Sequence, residues 1–137
     1  MGRLVAVLAL VAVTASAVAA TATPAKEGVL AHVLTPISRS AEPRTKVRVV
    51  WTLYYVGAGK QVPFNASGVF IRLYGPAGSR STRVYATQPE LGRYRAAVTV
   101  PRGGVRRVVI GLMGTSCGPD GCRPSPVIFR IVGQPLR

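Results

Sequence analysis

Acidic side chains are nearly missing from this chain. Its 137 residues hold 4 Asp and Glu against 18 Lys and Arg, a formal net charge of +14. Glu27, Glu42, Glu90 and Asp120 are scattered, each in a turn or linker pattern. That scatter argues against paired-carboxylate hydrolysis, which needs two carboxyls held at a fixed separation across one bond. Histidine is reduced to His32, with no carboxylate nearby to orient it. A nucleophilic thiol or hydroxyl needs an adjacent base, so Cys/His chemistry has no support. The phosphate loop is absent as well: Gly57-x-Gly59-Lys60 is a turn with no helix after it. Nothing in the chain specifies a reaction, and the expectation is a protein that is not an enzyme and carries no cofactor.

Long apolar runs are lacking beyond the first 22 residues. Met1-Gly2-Arg3 carries one positive charge, Leu4 to Val13 is apolar, and Thr14 to Ala22 is rich in small residues with two small-x-small sites. This is the pattern of a secretory signal peptide over 1–22. Ten apolar residues fall short of the roughly 20 that span a bilayer. No Cys near the cleavage region offers a lipid anchor. Removal of residues 1–22 takes away Arg3 and leaves 17 basic residues against 4 acidic. The expectation is one secreted, extracytoplasmic domain over 23–137, without a transmembrane span after cleavage; the alternative is that 1–22 is retained as an anchor.

What is present is turn residues and alternation. The chain has 15 Gly and 11 Pro spread along its length, the usage of a β protein with many turns. Lys46 to Tyr55 alternates most strongly: Val47, Val49, Trp51, Leu53 and Tyr55 share one face, with Trp51 as the core anchor. Val29 to Leu34 predicts an earlier strand with His32 pointing out. Gly68 to Tyr74 predicts another, with Val69, Ile71 and Leu73 on one side and Phe70, Arg72 and Tyr74 on the other. Arg80 to Thr87 is shorter and more polar. Leu91 to Leu112 reads as a β-hairpin: Tyr94, Ala96, Val98 and Val100 alternate with polar residues, Pro101-Arg102-Gly103-Gly104 reverses the chain, and Val108, Ile110 and Leu112 return the apolar face. Thr35 to Thr45 and Gly114 to Pro124 read as loops, and Gln61 to Ser67 as irregular because Pro63 cannot donate to a ladder. Ser125 to Val132 is the last strand, and Gly133 to Arg137 should fray. About seven short strands without helical periodicity predict an all-β, antiparallel β-sandwich.

Glu90-Leu91-Gly92-Arg93-Tyr94 adds a local cue. In immunoglobulin-like domains a Tyr placed this way turns its hydroxyl onto backbone at a corner between sheets. The V-x-V-x-W-x-L pattern of Val47 to Leu53, the L-G-R-Y-R-A of Leu91 to Ala96 and the V-P-R-G-G-V-R-R-V-V-I-G of Val100 to Gly111 together resemble the YtkA-like group of small secreted bacterial β-sandwich domains. The resemblance implies an immunoglobulin-like fold outside the cytoplasm. Some members of that group are associated with metal handling through His and Met ligands. This chain departs from them, with one His and, after cleavage, one Met.

Two candidate sites follow. Cys117 and Cys122 bracket Gly118-Pro119-Asp120-Gly121. In an exported protein the simplest reading is a disulfide clipping a hairpin, which restricts the unfolded chain by roughly 2 kcal/mol. The alternative is a soft-metal site for Cu(I) from Cys117, Cys122 and Met113. The second candidate is a row of guanidinium groups. Arg93 and Arg95 face out beside Tyr94, and Arg107 faces out on the expected partner strand; such a row can grip oxyanions with forked donors. Asn65-Ala66-Ser67 matches a glycosylation acceptor. The expected function is a secreted, non-enzymatic binding or interaction module of the cell envelope. Its partner is an anionic polymer or another envelope protein; net charge argues only for non-specific attraction to nucleic acid. The alternative is copper handling.

Overall fold

The structure is a computed structural model that describes residues 28–137. The leader expectation, 1–22, lies outside the described residues. Among the described residues all regular elements are strands, and no helix is long and apolar enough to cross a membrane. Ten strands form: β1 (Leu30–Val33), β2 (Lys46–Gly57), β3 (Lys60–Pro63), β4 (Val69–Tyr74), β5 (Thr82–Tyr85), β6 (Thr87–Glu90), β7 (Arg93–Thr99), β8 (Arg107–Gly118), β9 (Gly121–Ile128) and β10 (Arg130–Val132). The first sheet runs β10-β1-β2-β7-β6, with β3 also paired to β2. The second runs β5-β4-β8-β9. All pairings are antiparallel except β1 with β10.

Alternation decides the interior. Val49, Trp51 and Leu53 of β2, Tyr94 and Val98 of β7, Ile71 and Leu73 of β4 and Ile110 of β8 form one buried cluster drawn from both sheets. Trp51 and Tyr94 are directly opposed across β2 and β7, their rings stacked at 6.1 Å. Such pairs add about 0.5–1.5 kcal/mol beyond the area they bury. The Tyr94 hydroxyl donates to Phe64 O at 3.0 Å and accepts from Ala66 N at 2.9 Å. Residues 64–68 carry the chain from β3 in the first sheet to β4 in the second. The tyrosine therefore does bond backbone between sheets, but at a crossover 28 residues upstream rather than at its own bend.

Several expectations are corrected. The segment Leu91–Leu112 is not a hairpin, because β7 and β8 belong to different sheets. Alternation marks which side chains are dry, and two strands facing one core from opposite sides carry the same signal as two neighbours. Pro101 to Arg106 steps across the interior: Val105 is buried, and the Arg106 N–H bonds Tyr74 O at 2.7 Å. Gly104 has φ 88°, and a Cβ there would lie 2.5 Å from Arg39 O. The turn glycines thus serve a crossing, not a reversal.

Gly114 to Pro124 is not a loop. β8 and β9 continue through it in register to Gly118↔Gly121. Its side chains are mostly exposed on both faces, so no alternation betrays the strands. The last strand is broken at Phe129, whose buried ring and bond to Ile110 O at 2.9 Å mark the switch from β9 in one sheet to β10 in the other. β3 forms where irregular chain was expected, with Pro63 closing it at its last residue, and the strand expected over Arg80 to Thr87 is divided between β5 in the second sheet and β6, the outermost strand of the first, which runs on through Pro89 to Glu90. The tail does not fray: Leu136 is buried, pairs with Ile37 in a parallel bridge, and is flanked by backbone bonds from Ile37 N to Pro135 O and from Arg137 N to Ile37 O.

Candidate anion-binding faces

The crossing of residues 100–106 separates the three candidate arginines. Arg93 and Arg95 project from the outer face of the first sheet. Val50 lies opposite Arg95, and Thr52 opposite Arg93. Arg48, Val50, Pro89, Glu90, Arg93 and Arg95 line a shallow depression of about 240 Å³. Arg93 Nη1 lies 3.7 Å from Glu90 Oε2, and Arg95 Nε donates to Thr87 Oγ1 at 3.4 Å. An exposed pair of this kind contributes about 0–1 kcal/mol, but it places an acid beside one of the two arginines.

Arg107 stands on the other sheet. Residues directly opposed in a ladder share a face, so register maps the outer surface of the second sheet. Arg83 of β5 is opposite Arg72 of β4, Tyr85 is opposite Phe70, and Tyr74 is opposite Arg107 of β8. The Arg107 guanidinium lies 4.3 Å from the Tyr74 ring centre, and that of Arg72 lies 5.8 Å from it. Arg83 sits 5.6 Å from the Phe70 ring and 5.5 Å from that of Tyr85. The Phe70 ring is buried against Gly111: a Cβ on that glycine would lie 2.6 Å from Phe70 Cζ. Arg72 Nη1 donates to the Tyr74 hydroxyl at 3.3 Å. That bond, with the positive charges of Arg72 and Arg107, lowers the Tyr74 pKa against an opposing desolvation. Arg72 Nε is buried with no hydrogen-bond partner. Among the described residues, the single carboxylate–guanidinium contact is that of Glu90 with Arg93.

Arg44, Arg80 and Arg102 gather a third time where the 76–80 turn meets the end of β7, around an open cavity of about 400 Å³. Its neighbouring hydroxyls are engaged: Ser79 Oγ donates to Pro76 O at 2.6 Å and Thr82 Oγ1 to Thr99 O at 3.4 Å.

The thiols are joined. Cys117 and Cys122 form a disulfide between directly opposed positions of β8 and β9. The Met113 sulfur accepts a bond from Arg83 Nη1 at 3.4 Å. His32 is exposed on β1. Asn65, singled out as a glycosylation acceptor, uses Oδ1 to accept bonds from Gly92 N at 2.8 Å and from Gln88 Nε2.

The aromatic–arginine surface escaped the sequence reading of binding residues, although its signal is visible. Phe70-x-Arg72-x-Tyr74 and Arg83-x-Tyr85 place basic and aromatic side chains on the outer face of the second sheet, where Phe70 is nonetheless covered. Comparison with family models, with curated proteins and with solved structures finds no match to this chain.

Proposed function

We propose that this chain is a secreted, non-enzymatic, immunoglobulin-like module of the cell envelope that binds an anionic polymer. The observation that carries the reading is unneutralised charge. Residues 28–137 contain 16 basic and 3 acidic side chains, and one ion pair is formed among the described residues. A surface of that kind attracts polyanions over the screening length of the solvent. The disulfide is compatible with an oxidising compartment, in keeping with the export pattern of residues 1–22. A sheet-to-sheet bond from Tyr94 and the buried Trp51 are in keeping with the immunoglobulin-like and YtkA-like resemblance. Copper handling by Cys117, Cys122 and Met113 requires a reduced pair, and the bonded cysteines favour the polymer reading.

The test is retention of the exported protein on immobilised anionic polymers of phosphate and carboxylate type. Binding at 50 mM salt that is released as salt rises is the expected result. A protein that passes through unretarded at 50 mM salt ends the proposal.

A further inference from the structure

The outer face of the second sheet has features that a merely solvated basic surface does not need. Arg83 and Arg72 are directly opposed on neighbouring strands, with Cβ atoms about 5 Å apart in such a pair. Like charges so placed repel each other. Arg107 is two residue pairs further along β8, on the same-face diagonal about 7–8 Å from Arg72. The three arginine positions therefore form an oblique line across β5, β4 and β8, with the heads of Arg72 and Arg107 at Tyr74 and that of Arg83 at Phe70 and Tyr85. Each lies over an aromatic ring. Stacking fixes the plane of a guanidinium and turns its N–H edges away from the ring, so less side-chain freedom remains to be lost on binding. No carboxylate among the described residues pairs with any of the three. Arg72 Nε remains a buried donor without an acceptor.

Resting on the polymer-binding reading above, we infer that this face, centred on Arg72, Arg83 and Arg107, is the docking surface for a linear polymer of aliphatic phosphodiesters. A phosphate bound over Tyr74 is reached by both Arg72 and Arg107, and the next one along the chain meets Arg83, whose head lies toward Phe70 and Tyr85. Phosphate is favoured over carboxylate by geometry. A carboxylate matches one fork in one plane. The terminal oxygens of a phosphodiester are arranged tetrahedrally and accept from two guanidinium groups in different planes. A single-stranded nucleic acid would seek several open rings on which successive bases could stack; here Phe70 is buried and Tyr74 is covered by Arg72 and Arg107, which leaves Tyr85 alone open.

The experiment is isothermal titration of the folded protein with poly(glycerol phosphate), polygalacturonate and a single-stranded DNA at 50 mM and 150 mM salt. Arg72→Gln/Arg107→Gln is expected to bind poly(glycerol phosphate) at least tenfold more weakly. Arg93→Gln/Arg95→Gln removes the same charge from the first sheet and should stay within threefold of the parent. Arg72→Lys/Arg107→Lys keeps the charge but loses the fork, and should weaken binding at least threefold. Should the Gln pair fail to fold, Arg83→Gln alone, at an exposed position, is expected to weaken binding at least threefold. Equal losses from the two Gln pairs, or a larger loss from the first-sheet pair, overturn the assignment of the face. Equal or tighter binding of polygalacturonate or of DNA overturns the assignment of the polymer. Absence of binding to all three polymers by the parent protein instead removes the broader reading on which the inference rests.

Discussion

Tyr94 ties three segments together through one hydroxyl and one ring. Its ring stacks on Trp51 within the first sheet, while its hydroxyl holds the crossover at Phe64 and Ala66. Tyr94→Phe leaves the packing and removes both bonds, so the half-buried Ala66 N–H loses its acceptor. The expected loss is about 1–3 kcal/mol, read from chemical denaturation of the variant against the parent. Trp51 differs, since its indole N–H has no partner to lose. Ionisation separates Tyr94 from the other tyrosines. Burial raises its pKa above the usual value near 10, against the opposing bond from Ala66. The unfolded chain then gives up this proton near pH 10 while the folded chain keeps it. Stability from this group is complete below about pH 10 and is lost as pH climbs through the higher folded value. Tyr74 runs the other way, because Arg72 and Arg107 lower its pKa; it adds stability above about pH 10 that is lost as pH falls through its folded value. Absorbance titration should therefore show Tyr74 ionising early and one tyrosine ionising last. Disappearance of the last step in Tyr94→Phe confirms the assignment; its persistence contradicts it.

At the scale of elements, the strands were more legible than their partners. β1, β2 and β4 lie within two residues of the limits that alternation sets, because each has one dry face and one wet face. The β8–β9 arm could not be read that way: residues 115–124 are exposed on both faces. Nor could the pairing of β7, since facing strands and neighbouring strands share one pattern. What the sequence did carry was the need for glycine at the crossing, without its purpose. Gly104→Ala must take φ 88° and place a methyl group 2.5 Å from Arg39 O, with an expected cost of about 2–4 kcal/mol. Gly59→Ala meets the same kind of φ, 73°, with nothing within 4 Å, and should cost about 1 kcal/mol. Thermal unfolding of the two variants checks the difference; equal losses would mean that the close approach to Arg39 has no weight. The disulfide belongs to a different unit. It closes an arm whose outer residues pair only with each other. Local opening of such an arm need not involve the core. Cys117→Ser/Cys122→Ser should thus leave the main unfolding midpoint nearly unchanged while amides of residues 115–123 exchange at least tenfold faster. A fall of the midpoint in step with the exchange would place the arm inside the cooperative core.

For the whole molecule, charge is the property that composition announces and topology distributes. The excess of arginine was plain in the sequence, but its division between two opposite faces was not, because Arg93 and Arg107 are separated by a crossing that the hairpin reading missed. In residues 28–137, 16 basic groups face 3 acidic ones. A folded chain with that excess concentrates like charge and is destabilised by its own field. Salt then acts in the direction opposite to its effect on a protein held by ion pairs. Raising sodium chloride from 10 to 150 mM shortens the screening length from about 30 to about 8 Å, which weakens repulsion between faces more than the contacts within them. Relief of about 1 kcal/mol moves the midpoint of a domain this size by roughly 4 °C. Calorimetry should therefore record a midpoint rising with sodium chloride, and rising equally with choline chloride if screening rather than a specific cation is responsible. In Arg72→Gln/Arg107→Gln the rise should be smaller, since part of the repulsion has already been removed. A midpoint that is flat or falls with either salt would mean that the arginines are compensated within the fold, and the case for an external polyanion would lose its physical ground.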